Sequence, residues 1–286
     1  MPSTCEATSI PLINLKPFLE GNDEDIVVRQ VSSACQEIGF FAIRNHGIDS
    51  RVIGELWRAS AAFFDLPHPD KELAMSTDTL EYPFGYERLE NLELAKTGTK
   101  SFDDLKETFS LGPSNPASGM PPRRIPQRPA EFEASIKNYY VAMEQLAFTL
   151  AQVMALGLGL PRNYFVDKMD HHQCALRLLN YPNVTEPVLP GQLRAGAHTD
   201  YGAFTILKSG GSGLQVKRDQ TMDLWVDVPT FESEDVFIIN LGDMMQRWTN
   251  GTYNGTLPMM HIMSIHCHDA FVILHRQISG FLLCIE

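Results

Sequence analysis

Apolar positions recur along this chain with two different periods, a helical one in the first half and an alternating one in the second. Ile10 to Leu15 (IPLINL) alternates enough for a short strand. From Asp25 onward Ile26, Val31, Ala34, Cys35 and Ile38 fall at roughly helical spacing behind an acidic first turn, and Gly39 ends the run. Phe40 to Asn45 is aromatic and β-branched, which suits a strand, and Asn45-His46-Gly47 turns the chain. Further helices are expected over Arg51 to Phe64 and from Pro67 to Met75, the latter with Pro and Asp at its opening. Tyr82 to Pro126 carries no period and is rich in Gly and Pro. It reads as a long loop in which Asp104 to Gly112 (DLKETFSLG) supplies one short strand. The strongest helical stripe follows, with Ile136, Tyr140, Met143, Ala147, Leu150 and Met154 inside Glu131 to Leu158.

After Cys174 the pattern shortens. ALRLLNY, RAGAHT, AFTIL, GLQVK, LWVDV and VFIINL follow one another at regular spacing, each bounded by Gly, Pro, Asn or Asp. Six such strands predict a double-sheet barrel or sandwich. The expected fold class is α+β with a mainly β core: a double-stranded β-helix, or jelly roll, fed by a helical N-terminal half. The expected organisation is a region of helices and short strands over residues 1–125. The long helix and jelly-roll core follow over 126–256, and an atypical tail over 257–286.

Composition narrows the partners. Of 286 residues, 35 are acidic and 23 basic, a formal charge of −12 without a Lys/Arg cluster, which argues against nucleic acid or an anionic membrane surface. The five cysteines are scattered and form no C-x-x-C pair, as expected of free thiols in a reducing compartment. The N-terminus lacks the basic end and apolar run of a signal peptide, and no apolar stretch is long enough to span a bilayer. A cytoplasmic protein is expected.

The candidate chemistry sits in GAHTDYGAF, Gly196 to Phe204. Side chains two apart on a strand share a face, so His198 and Asp200 can converge on one point. Imidazole plus carboxylate suits Fe(II), Zn(II) or Mn(II). Two histidines and one carboxylate would leave three coordination positions open, as non-haem Fe(II) oxygenases require. The surrounding segments resemble the isopenicillin-N-synthase-like family of Fe(II)/2-oxoglutarate-dependent dioxygenases. The resemblance rests on GAHTDYGAFTIL, GLQV, WVDVP and VFIINLGDMMQRWTNGTY, preceded by IPLINLKPFL, ACQEIGFFAIRNHGI, AAFFDLPHPDKE and LKETFSLG. It covers about Ile10 to Tyr253. It implies His198 and Asp200 as iron ligands and Tyr181, in RLLNYP, as a phenol donating to 2-oxoglutarate. It further implies dioxygen as oxidant and a small organic substrate that is hydroxylated, desaturated or cyclised while 2-oxoglutarate becomes succinate and CO2.

The family pattern breaks after NGTY. The family continues through Ser-Thr-x-His-Arg to a third ligand and then to an Arg-x-Ser pair that grips the distal carboxylate of 2-oxoglutarate. Here the position of that histidine is Pro258, and no Arg-x-Ser follows, since RQIS has one residue too many. Two missing charge-assisted hydrogen bonds, at about 1.5–3 kcal/mol each, would weaken co-substrate binding by roughly a hundredfold or more. Between Leu257 and Glu286 only Asp269, Arg276 and Glu286 are charged, yet four of the nine histidines lie there. A translated intron or a shifted frame has this texture. An in-frame insertion after Thr256 is the alternative, with Leu274-His275-Arg276 resuming the family's His-Arg and His275 as displaced third ligand. His261 is a rival for that role. On the first explanation the C-terminal strands are incomplete, a sheet edge is bared, and the chain is a catalytically inactive jelly-roll protein. His266-Cys267-His268 lacks a second pair for zinc. Asn45-His46-Gly47 is read as structural, His171-His172 as solvated, Trp225 and Trp248 as core or wall, and Ser209 to Gly213 as a hairpin turn without P-loop character.

Overall fold

The computed structural model describes residues 10–75, 84–87, 106–114, 123–169, 173–181, 199–219, 224–231, 235–255, 258–260 and 270–277. Strand β1 (Leu12–Asn14) is followed by a single turn, α1 (Lys16–Leu19), and by α2 (Glu24–Glu37), β2 (Phe40–Arg44), α3 (Ser50–Phe64) and α4 (His68–Glu72). Then come β3 (Gly85–Glu87), β4 (Glu107–Leu111) and the long α5 (Phe132–Gly157). The strand-rich half comprises β5 (Gln173–Asn180), β6 (Phe204–Lys208), β7 (Leu214–Asp219), β8 (Leu224–Asp227) and β9 (Phe237–Leu241). It closes with α6 (Asp243–Trp248), β10 (Pro258–Met260) and β11 (Ala270–Gln277).

The described strands form two sheets. The larger runs β1-β2-β9-β6-β11-β5-β4-β3 and the smaller β10-β7-β8. Every pairing among these strands is antiparallel except β1 with β2. The alternation of side chains decides what each face of the large sheet meets. Phe41, Ile43, Leu176, Leu178, Ile206, Ile239 and Leu241 lie on the outer face. They are buried in one core with Val31, Leu56, Phe63, Met143, Leu150 and Met154 of α2, α3 and α5. Phe40, Ala42, Leu179, Leu207 and Ile238 lie on the inner face, in a second core with Leu214 and Val216 of the small sheet and Val228. The helical stripe read from the sequence thus covers one side of the large sheet, and the small sheet covers the other. This is the expected jelly roll with its helical cover, and β1 and β2 of the N-terminal half are part of its large sheet.

Several expectations change. Gly85–Glu87, inside the stretch read as loop, is a strand paired with Thr108 to Ser110. Three residues beginning with glycine show no period, and the strand exists because β4 supplies its hydrogen bonds. Ser209 to Gly213 joins β6 in the large sheet to β7 in the small one, so it is a crossover between sheets and not a hairpin. The local turn chemistry was legible, but its destination was not. The tail also contributes strands. β10 pairs with β7, with Pro258 opposite Val216, and β11 fills the position between β5 and β6 that would otherwise leave two bare edges. The RAGAHT segment lies outside the described residues up to His198.

Candidate metal and co-substrate site

Asp200 sits in the turn entering β6, and four backbone or hydroxyl contacts fix that turn. The amides of Asp243, Met244 and Gly242 donate to the carbonyls of Asp200 (2.8 Å), Gly202 (3.3 Å) and Ala203 (3.0 Å). Thr199 Oγ1 donates to Asp243 Oδ2 at 2.9 Å. The approach is close enough to require glycine. A Cβ on Gly242 would lie 2.2 Å from the Gly202 carbonyl oxygen and 2.4 Å from that of Asp200.

The Asp200 carboxylate is oriented from two neighbouring strands. Thr205 Oγ1 of β6 donates to Oδ2 at 2.5 Å, and Asn240 Nδ2 of β9 donates to the same oxygen at 2.7 Å. Thr205 and Asn240 are register partners on the inner face, both nearly fully buried. A buried threonine and asparagine in otherwise apolar strands need partners, and this carboxylate is the partner they share. Outer-sphere donors of this kind fix the direction in which a ligating carboxylate presents itself, so Asp200 fits the part of one metal ligand. Asp200 is half-buried, and its carboxylate meets donors from the inner face of the large sheet. His198 lies outside the described residues, as do His171, His172, His261, His266, Cys267 and His268. Among the described residues no group of three or more His, Cys, Asp or Glu forms a metal cluster.

One register row runs across the inner face: Asn240, Thr205, His275 and Ala175. Opposed residues of an antiparallel ladder share a face. The backbone of β11 therefore places position 275 on the face that carries the Asp200 donors, next to Thr205. Tyr181 follows β5 on the same face and is buried in the inter-sheet core. It lies six residues beyond Ala175, roughly 20 Å along the strand. Asp200 and Tyr181 thus mark the two ends of one inner surface.

The sequence did not reveal Thr205 and Asn240 as Asp200's anchors. The available signal was one polar residue inside each apolar strand, AFTIL and VFIINL. His46 has a structural role, with both ring nitrogens engaged by backbone. Ile48 N–H donates to Nδ1 (3.2 Å), which leaves Nε2–H to donate to the Asp235 carbonyl (2.9 Å). Burial lowers its pKa below the ordinary imidazole value. Trp248 stacks on Phe165 at 6.0 Å against the outer core. No helix among the described residues is long and apolar enough to cross a membrane.

A jelly roll whose inner face presents a clamped carboxylate beside the entry of a strand offers one oriented position for a metal ligand. Comparison with known proteins gives the family. Residues 10–131 match the family described as non-haem dioxygenase in morphine synthesis N-terminal, and residues 172–262 match the 2OG-Fe(II) oxygenase superfamily. The chain is 34% identical over 270 residues to the 2-oxoglutarate-dependent dioxygenase caaD of Aspergillus niger, covering 89% of this chain and 80% of that one. It is 31% identical to clavatol oxidase claD of Penicillium crustosum, over 93% of this chain and 84% of the relative. The crystal structure of a full-length Neurospora crassa protein in complex with alpha-KG superposes with a TM-score of 0.84 at 27% identity, covering 98% of this chain and 89% of that one. The chain belongs to the 2-oxoglutarate-dependent, Fe(II)-dependent dioxygenases. It is by family an oxidoreductase that uses Fe(II), 2-oxoglutarate and dioxygen on a small organic molecule.

Proposed function

We propose that His198 and Asp200 hold the iron of this chain and that Tyr181 receives 2-oxoglutarate, over a domain organisation of 1–125, 126–256 and 257–286. The observation that carries the metal assignment is the double anchoring of Asp200 Oδ2 by Thr205 and Asn240. His275 is the tail histidine best supported as a third ligand, because its register position adjoins Thr205. When bound, the iron supplies the oxidising chemistry that couples decarboxylation of 2-oxoglutarate to oxidation of a substrate C–H bond. The protein's part is to hold Asp200 in one orientation and to seal the inner face with Leu179, Leu207, Ile238, Leu214 and Val216, which exclude water. The support for Tyr181 is the family resemblance, which makes it a phenolic donor to 2-oxoglutarate. The roughly 20 Å of β5 between its backbone and the Ala175 row is more than one 2-oxoglutarate spans, so the geometry does not support this part of the reading.

The substrate class is a small molecule of secondary metabolism, supported by relatives such as clavatol oxidase, and the setting is the cytoplasm, supported by scattered cysteines without a C-x-x-C pair. A second reading, a catalytically inactive jelly roll, is favoured by Pro258, which occupies a β10 register position where the family has a histidine. One experiment separates them. Purified protein given Fe(II) and 2-oxoglutarate is expected to release succinate, and Asp200→Ala and His198→Ala are each expected to reduce release to the protein-free background. Release that persists in both variants rejects the metal assignment. No release from the unaltered chain, with Co(II) binding also lost, supports the inactive reading.

A further inference from the structure

A cleft of about 420 Å³ opens at the end of the jelly roll away from Asp200, between α3 and the loops that leave β6 and enter β9. Lys208, the last residue of β6, and Ile238 of β9 line it. Roughly 13 Å of β9 separates Ile238 from Gly242, whose amide helps to hold the Asp200 turn. The cleft is therefore a different place from the proposed metal site. Ile53 and Trp57 of α3 supply apolar surface on one side, and Pro229 and Phe231 supply it on the other. Trp57 and Phe231 are only half-buried, so two aromatic rings keep surface open toward the cleft.

Gly54 is the residue that packing leaves unexplained. It is the fifth of fifteen residues in α3, and glycine is among the least favourable residues in a helix interior. The nearest atom to an added Cβ would be Arg58 Nη1 at 3.4 Å, an ordinary contact with the movable end of a side chain. Alanine would fit, so the empty position serves the cleft rather than the core. The same contact shows where Arg58 lies. Its side chain folds back one turn over Gly54 and brings the guanidinium to the cleft. Among the described residues no acceptor engages that guanidinium. The other cation, Lys208, is only 13% exposed and has Asp235 Oδ1 at 3.8 Å, so Arg58 carries the positive charge that is open to a ligand.

A cleft of this volume holds a small organic molecule, and rigid aromatic walls give it contact area at little cost in conformational freedom. A guanidinium fork matches a carboxylate bidentately. We propose that this cleft is a second small-molecule site, remote from the metal, and that its ligand is an aromatic carboxylate laid against Trp57 and Phe231 with its charge on Arg58. Gly54 leaves the floor on which the ring rests. None of these contacts involves the iron or its co-substrate, so the site stands independently of the dioxygenase reading.

The full chain, with and without Fe(II) and 2-oxoglutarate under nitrogen, is titrated calorimetrically with 2-naphthoate, 2-naphthamide and acetate. Naphthoate is expected to bind at least tenfold more tightly than either the amide or acetate. Arg58→Met should bring naphthoate down to the affinity of the amide. Gly54→Leu, which fills the floor with a better helix former, should lower naphthoate affinity tenfold or more while the melting temperature holds or rises. Co(II) affinity should stay within twofold in both variants. Equal binding of naphthoate and naphthamide by the unaltered chain overturns the proposal. So does an acid preference that survives both variants, which would place the ligand elsewhere, on the inner face for instance. Self-association that is lost in Gly54→Leu, without any acid preference, would make a second copy of the chain the occupant and overturns it as well. Failure of Fe(II) and 2-oxoglutarate to bind would count against the dioxygenase site alone, since the naphthoate preference is also read on the metal-free chain.

Discussion

At the scale of single residues, the position of the proposed metal ligand depends on an absent side chain. Gly242 follows β9 with φ −100° and ψ 176°, a backbone any residue adopts, so conformational freedom is not why glycine stands there. Space is: the carbonyl oxygens of Gly202 and Asp200 would lie 2.2 and 2.4 Å from a Cβ, and backbone cannot rotate aside as a side chain does. Gly242→Ala must therefore push residues 199–203 away from α6, stretching the amide contacts that fix the Asp200 turn. We expect a stability loss of about 1–3 kcal/mol, as for overpacking elsewhere. Co(II) affinity is expected to fall by more than tenfold, because the Thr205 and Asn240 donors no longer meet the carboxylate squarely. Urea unfolding and a cobalt titration check the two effects separately. An alanine variant with unchanged cobalt affinity would show that the turn does not position Asp200.

At the scale of elements, the buried pair Lys71–Glu107 ties a short helix to the sheet. Lys71 of α4 and Glu107 of β4 are 4% and 5% exposed, so neither charge has water to fall back on. Lys71 Nζ donates to Glu107 Oε2 (2.8 Å) and to the Phe64 carbonyl (2.9 Å). Tyr86 OH reaches the same Oε2 at 2.5 Å, and Asn180 Nδ2 reaches Oε1 at 2.8 Å. Five segments thus meet around one carboxylate. Lys71→Met leaves that carboxylate buried beside a single pair of neutral donors and is expected to cost about 3–5 kcal/mol. Adding Glu107→Gln should recover a large part of it, as a double-mutant cycle in urea would read. Losses that simply add would mean the two residues act independently. This network also shows what a sequence does and does not disclose. The stripes of α2, α3 and α5 and the alternation of β5 to β9 were legible because each signal is contained in one segment. His198-x-Asp200 was legible for the same reason. The partners of Asp200 and those of Glu107 come from segments far apart in the chain, and only the fold brings them together.

For the whole molecule, the departure from the family pattern after Tyr253 bears on whether the barrel holds. A tail with few charges and no period gave no sign of sheet structure, yet β11 stands inside the large sheet, opposed by eight residues of β5 and four of β6. β10 adds a third strand to the small sheet through three residues of β7. An interior strand contributes on both flanks, so its loss removes two ladders and creates two edges. At about 1 kcal/mol net per hydrogen bond, two ladders approach the 5–15 kcal/mol that is the whole stability of an ordinary domain. The freed edges of β5 and β6 would also present unpaired amides and carbonyls to other chains. Residues 1–255 expressed alone are therefore expected to lose a cooperative thermal transition and to aggregate, although they retain both His198 and Asp200. The full chain should melt as one unit. If residues 1–255 instead melt within a few degrees of the full chain and bind Co(II) equally well, β11 is dispensable to the sheet. The third ligand must then be sought before residue 256, and position 275 no longer has a structural reason to be considered.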